Sequence, residues 1–300
     1  MSTIKLFKTK NSSATELNVQ SIAVEKSLQT TIEHNLEMFL GVKFLASEYS
    51  TGKTHGGRID TLGIDENNAP VIIEYKRSIN ENVINQGLFY LDWLLDHKGE
   101  FTLLVMTKIG NINQNDIEWN NARLLCIASD YTKYDEYAVQ QINRNIELIR
   151  YRKFDDDIML FELVNAVSAE IEGKPKPSGS GKQLTVLDAY EKMGSTEKDW
   201  YETLKAYIFA LGDDIQEKTT KLYIAYKRLS NFACFEFHPS NKEIVVFLKL
   251  DPASVQIEHG FTRDVTYIGH YGTGNLEVTI NSEEDVKKVQ ILISAAYEES

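Results

Sequence analysis

The sequence predicts an α/β layer structure followed by a smaller α+β domain. Two observations carry this reading. Before about residue 171, short apolar strand-like runs alternate with segments of helical period, the pattern of a layered sheet and helices. After residue 184, a helical segment is followed by successive strand-like runs and a closing helix. Between them "EGKPKPSGSGKQ", residues 172 to 183, has almost no apolar content and reads as a solvated linker. The expected division is therefore 1–171, a linker at 172–183, and 184–300.

In chain order, Leu28, Ile32, Leu36 and Phe39 recur at intervals of three and four, which predicts a helix from about Glu25 with Glu33 beside its apolar stripe. "GRIDTLGID" and "PVIIEYKR" read as strands joined by the turn residues "ENNA", so a hairpin is expected. "NENVINQGLFYLDWLLDHKG" has an Asn cap candidate, dense apolar spacing and a terminal Gly, and predicts a helix. "FTLLVMT" and "RLLCIAS" read as buried strands, with a helix around "EYAVQQINR" ahead of the strands "IELIRYRKF" and "DIMLFELV". Beyond the linker, "EKDWYETLKAYIFALG" is helical. "KLYIAYKR", "FACFEFH", "EIVVFLKL", "DVTYIGH" and "NLEVTI" are strand candidates, and "SEEDVKKVQILISAAYEE" is a capped helix.

Composition narrows the function. With 300 residues, 42% hydrophobic and 25% charged, the chain is an ordinary globular sequence, and its net charge of −12 argues against a protein that coats nucleic acid through a broad basic surface. No apolar run approaches the roughly 20 residues of a membrane span and the N-terminus lacks a signal-like core, so a cytoplasmic protein without a membrane partner is expected. Cys126 and Cys234 lie in separate apolar segments and read as buried thiols. "STGKT" and "SGSGKQ" do not complete a phosphate loop, no G-x-S-x-G elbow occurs, and the histidines lack zinc-site spacing.

The hairpin carries the chemistry. Glu74 and Lys76, two apart on a strand, share a face, and a turn between the strands brings Asp60 towards Glu74. Two close carboxylates repel unless one takes a proton or a cation neutralises both, and a hard ion such as magnesium or manganese suits oxygen ligands. Lys76 beside them would steady charge developing on a phosphate. The competing reading is a cross-strand ion network of Asp60 and Glu74 with Arg58 and Lys76.

Asp60 followed by Glu74, Tyr75 and Lys76 as "EYK" resembles the signature of the PD-(D/E)xK nuclease superfamily. "QGLFY", with Gln86 and Tyr90, is similar to the Q-x-x-x-Y element of its RecB-like branch. The flanks look closest to the mismatch-endonuclease subgroup, and the resemblance spans roughly residues 25 to 130. Ile59 stands where the superfamily's name has Pro. The resemblance implies a restriction-endonuclease-like mixed sheet flanked by helices and a magnesium- or manganese-dependent deoxyribonuclease acting on DNA. Asp60, Glu74, the Tyr75 carbonyl and Glu33 would hold the metal. Lys76 would assist the attacking water, and Gln86 and Tyr90 would position the strand. His55, Arg58 and Arg77 near the hairpin, with Arg144, Arg150 and Arg152 further on, are candidate nucleic-acid contacts; the competing readings are scattered surface cations for the second group and a loop histidine for His55. Residues 184–300 resemble an uncharacterised domain found behind such nuclease-like modules in bacterial chains labelled predicted transport proteins. A recognition, regulatory or dimerisation role is expected for it, with a homodimer as one form. A non-catalytic nucleic-acid-binding or scaffolding module on the same fold is the alternative for the whole chain.

Overall fold

The computed structural model describes residues 4–20, 25–76, 83–110, 112–155, 158–169 and 184–300. The proposed linker 172–183 and the Asn cap candidate ahead of Val83 lie outside them.

A seven-stranded mixed sheet organises the first part of the chain. An exposed hairpin, β1 (Phe7–Lys10) and β2 (Ser13–Glu16), precedes the short β3 (Val19–Gln20). Then come α1 (Glu25–His34), α2 (Leu36–Leu40), β4 (Val42–Ser50), the one-turn α3 (Gly52–His55), β5 (Arg58–Asp65) and β6 (Pro70–Lys76). They are followed by α4 (Val83–Asp96), α5 (Lys98–Lys108), β7 (Arg123–Ala128), α6 (Lys133–Gln140), β8 (Asn145–Phe154) and β9 (Ile158–Val167). The strand order is β3-β8-β7-β6-β5-β4, with β9 also paired to β8. β4, β5 and β6 run antiparallel in turn, while β6, β7 and β8 are parallel.

Alternation along β5 and β6 sends residues to two separate cores. Leu62, Ile64 and Ile72 pack under α4 with Leu91 and Leu94, whereas Val71, Ile73 and Tyr75 pack under α1 and α2 with Leu28, Ile32 and Leu36. Gly87 lets α4 approach the sheet: a Cβ there would fall 2.4 Å from the Leu124 side chain.

A second, six-stranded sheet follows α7 (Val186–Glu191) and α8 (Ser195–Leu211). It is built from β10 (Gln216–Thr219), β11 (Ile224–Lys227), β12 (Asn231–His238), β13 (Glu243–Leu248), β14 (Thr262–Asp264) and β15 (Leu276–Ile280), all antiparallel, and α9 (Glu283–Glu298) closes the chain. One face of this sheet packs α8 and α9 through Phe232, Phe235, Leu204 and Ile293. The Ser282 side chain caps α9 by accepting from the Asp285 N–H.

Two expectations are corrected. "FTLLVMT" is not a strand but the body of α5: Phe101 and Val105, four apart, are buried while Leu103 and Met106 face outwards, a helical rather than an alternating or fully buried pattern. "DVTYIGH" is not a strand either, since β14 ends at Asp264 and Tyr267 is 98% exposed. Both cysteines are buried free thiols, as expected. No helix among the described residues is long and apolar enough to cross a membrane.

Candidate active site

The antiparallel ladder between β5 and β6 runs from Ile64↔Pro70 to Thr61↔Ile73. One step further Asp60 faces Glu74, and there side chains replace the ladder. The Asp60 N–H donates to Glu74 Oε1 at 3.2 Å, and the Tyr75 N–H donates to Asp60 Oδ2 at 3.1 Å. Each carboxylate thus accepts a backbone donor that the ladder no longer serves. The other Glu74 oxygen, Oε2, is buried with no hydrogen-bond partner among the described residues. Burial, then the charge of Asp60, pushes the Glu74 carboxyl up to about 9; Lys76, on the same face two residues on, opposes the shift without cancelling it.

Adjacent residues point the other way. Tyr75 and Thr61 share a hydrogen bond of 3.1 Å on the α1 side of the sheet, and the Thr61 hydroxyl donates to Glu33 Oε1 at 2.6 Å. Gln29 Nε2, buried, lies 2.9 Å from Glu33 Oε1, 2.8 Å from the Asp60 carbonyl oxygen and 3.2 Å from Ser47 Oγ. Glu33 is therefore joined to β5 through Thr61, whose side chain points away from the face of Asp60 and Glu74. Gln29 and Thr61 were not singled out from sequence, because nothing in the helical period marks a buried Gln as a hub.

On the α4 side, the Tyr90 hydroxyl accepts from the Arg58 N–H at 3.2 Å and lies 3.5 Å from Gln86 Nε2. Tyr90 thereby anchors β5 two residues before Asp60. Gly57 is required here, since a Cβ would stand 2.6 Å from the Tyr90 ring. The Arg58 guanidinium is exposed and pairs with Glu48 at 3.4 Å. A shallow groove of about 450 Å³ beside it is lined by Ser50, Lys53, Gly56 and Arg58. His55 ends α3, and Arg77 lies outside the described residues.

The second group of basic residues lies on or beside β8, which β7 separates from β6. Arg150 is buried, its guanidinium held by Asp130 at 2.7 Å and Glu162 at 2.9 Å, so a structural ion network occupies it. Arg152 is half-buried opposite Leu160, and Arg144 is exposed.

A hard cation fits part of this arrangement. Asp60, Glu74 and the Tyr75 carbonyl would hold it, and a dication would offset both the carboxylate repulsion and the unpartnered Oε2. No group of three or more His, Cys, Asp or Glu side chains suited to a metal occurs among the described residues, so the side-chain donor set stops at two.

At the far end of β5 lies a cluster that sequence reading missed. Asp65 Oδ1 accepts from the N–H groups of Asn67 and Ala69, and its Oδ2 accepts from Arg123 Nε at 3.0 Å. Arg123 Nη1 reaches both oxygens of Glu147, at 2.8 and 2.9 Å, and Lys227 of the second sheet reaches Glu147 at 3.3 Å. Burial pushes the Glu147 carboxyl up, but Arg123, Lys227 and Lys218 together hold it down at about 2. Tyr223 and Asn231 bond Asn67, the Glu66 carboxylate accepts from the Asn231 N–H, and Lys218 bonds Ser168 and Asn145. The two sheets therefore meet through buried polar and charged contacts.

Comparison with known proteins finds a family match on the second sheet and one relative along the whole chain. Residues 189–300 match a domain of unknown function, DUF5655, in agreement with the resemblance expected for that segment. An uncharacterized protein of Haemophilus influenzae is 28% identical over 307 residues, which covers 99% of this chain and 100% of the relative. No solved structure matches.

Proposed function

We propose that this chain is a metal-dependent endonuclease that hydrolyses DNA phosphodiester bonds, built on a PD-(D/E)xK-like sheet and using magnesium or manganese. One observation carries the reading: the β5–β6 ladder opens where Asp60 and Glu74 face each other, leaving a buried carboxylate oxygen without a partner among the described residues, beside a second carboxylate and a lysine. Such an uncompensated site costs stability, a cost that function explains better than folding does. The order of elements, α1 before the two carboxylate strands and α4 after them, supports the same family resemblance.

In this reading Asp60 and Glu74 bind the ion through oxygen, and the Lys76 ammonium donates to the developing negative charge on phosphate or to the attacking water. Tyr90 keeps the start of β5 in register, and Gln29 holds the Asp60 carbonyl from the opposite face. A bound dication would supply Lewis-acid activation of the phosphate and of a water. The segment from 184 to 300 would act in recognition, regulation or dimerisation.

The test is cleavage of supercoiled, linear duplex and single-stranded DNA with magnesium, manganese or chelator, comparing wild type with Glu74→Gln. Metal-dependent product that disappears in the variant is expected. A non-catalytic module is the second reading, favoured by the engagement of Glu33 through Thr61 and by the two-carboxylate limit. It would show salt-sensitive DNA retention with no product under any metal.

A further inference from the structure

Helix α6 carries an exposed aromatic pair at the end of the first sheet where the candidate site lies. β6 and β7 run parallel with Lys76 opposite Ala128, so both strands finish at the same edge of the sheet. The carboxyl ends of parallel strands are where open α/β sheets take ligands. β7 leads through residues 129–132 into α6, and Val139 of α6 packs in the same core as Ile72 and Cys126. Glu74 is two residues from Ile72 on β6, so α6 lies on the face of the sheet that Glu74 shares. Burial, then the charges of Glu74 and of Asp135 in α6, pushes the Cys126 thiol up, which sets Glu74 and the start of α6 around one residue.

Tyr134 is 73% exposed and Tyr137 68%, and residues three apart share a helix face. Exposed Ala138 and Gln141 extend the stripe, and exposed Lys133 and Arg144 stand at its two ends. The Lys133 ammonium is 5.1 Å from the centroid of the Tyr134 ring. The carboxylates of this region are engaged or withdrawn: Arg150 holds Asp130 at 2.7 Å, Asp135 accepts from the Thr132 N–H at 2.8 Å, and Glu136 is half-buried. In a chain of net charge −12, two bare rings framed by cations suit a partner that is flat, apolar and anionic. A nucleotide has all three properties, and its base is open to a tyrosine ring where it is not stacked inside a duplex.

We infer that Tyr134 and Tyr137 are a stacking platform for unpaired bases of the DNA strand presented to Asp60, Glu74 and Lys76, with Lys133 on an adjoining phosphate. The substrate so selected is single-stranded DNA in preference to intact duplex. The inference rests on the nuclease reading for the identity of the strand, and its test is a binding measurement that needs no cleavage.

The full chain, kept in chelator so that no metal-dependent product forms, is titrated with a labelled oligothymidylate, a duplex of the same length, and an abasic strand that keeps the phosphates without the bases. Oligothymidylate should bind about fivefold or more tightly than the abasic strand, and more tightly than duplex. Tyr134→Ala and Tyr137→Ala should each weaken it by about fivefold or more with no change in melting temperature, whereas Tyr134→Phe and Tyr137→Phe, which keep the ring, should bind as wild type. Lys133→Gln should lower the slope of log affinity against log salt by about 0.7. Tyr267→Ala, which removes a 98% exposed tyrosine of the second part of the chain, should change nothing. Unchanged oligothymidylate binding in the two alanine variants, equal binding of the abasic strand, or no binding of any strand would overturn the platform even where wild type cuts DNA. Self-association that the alanine variants abolish, with strand binding intact, would overturn it too and make the stripe an interface between copies. Ring-dependent strand binding without cleavage under any metal would retain the platform and remove the nuclease.

Discussion

The two ends of β5 solve the same electrostatic problem in opposite ways. At Asp65, carboxylates enter the interior together with their counter-ions: Arg123 bridges Asp65 and Glu147, and Lys227 adds a second cation, so Glu147 stays ionised down to about 2. At Asp60, five residues away on the same strand, two carboxylates face each other, one oxygen has no partner among the described residues, and Glu74 is pushed up to about 9. The difference teaches that burial alone does not decide what a charge does. The matched cluster can hold the sheets together because its charges are satisfied. The unmatched pair favours an added positive ion because its charges are not.

The largest expected effect comes from unmatching the matched end. Arg123→Ala leaves Asp65 and Glu147 buried without their guanidinium and should lower stability by about 3–5 kcal/mol, seen as a shift in the urea midpoint. A loss under 1 kcal/mol would show that water or the lysines of the second sheet can replace Arg123, and the contrast between the two ends would collapse.

Next is the reverse operation. Between pH 4.5 and about 9 the folded chain keeps a proton on Glu74 that the unfolded chain gives up, so this group lowers stability as pH rises through that window. Glu147 has the opposite sign: its contribution is complete above 4.5 and is lost as pH falls towards about 2. Without divalent metal, Glu74→Gln should therefore be more stable than wild type at pH 8, by up to about 5 kcal/mol, with the gap closing towards pH 5. Magnesium should raise the melting temperature of wild type at pH 8 and leave the variant unmoved. Equal pH profiles for the two proteins would remove the unmatched pair from the account.

These two sites were not equally legible. Asp60, Glu74 and Lys76 stand out because strand alternation and a hairpin are local rules, and a charge in an apolar strand is visible in one line of sequence. Asp65 read as the end of a strand and Arg123 as the margin of an apolar one, since their pairing joins β5 to β7 across β6, and Lys227 joins from the second sheet, eighty residues beyond Glu147. No periodicity encodes such a contact. The α/β class was readable from alternating elements, whereas "FTLLVMT" misled because a short apolar run fits strand and helix alike until its neighbours choose. β4 was missed because its exposed and buried residues follow no simple alternation, and its pairing with β5 shifts register between Phe44 and Ala46.

Two hydroxyl deletions sharpen the comparison at smaller scale. Tyr223→Phe removes a buried bond to Asn67 at the matched end and should cost about 1 kcal/mol, because the Asn67 oxygen keeps Asn231 as a donor. The effect should appear in stability alone, with DNA cleavage unchanged at temperatures well below melting.

Tyr90→Phe removes the acceptor for the Arg58 N–H at the other end and should cost about 0.5–1 kcal/mol, since that backbone group lies near solvent and water can serve it. Its consequence should be positional rather than thermodynamic. Asp60 is two residues along the same strand, beyond the last backbone pair with β6, so on that side side-chain contacts position it, while on the other side β5 pairs with β4. Loosening the start of β5 should therefore lower cleavage by at least tenfold while stability barely moves, whereas Tyr223→Phe does the reverse. If Tyr90→Phe lost cleavage only in proportion to its stability, the tyrosine would be a packing residue, and the open end of the hairpin would owe its geometry to the carboxylates alone.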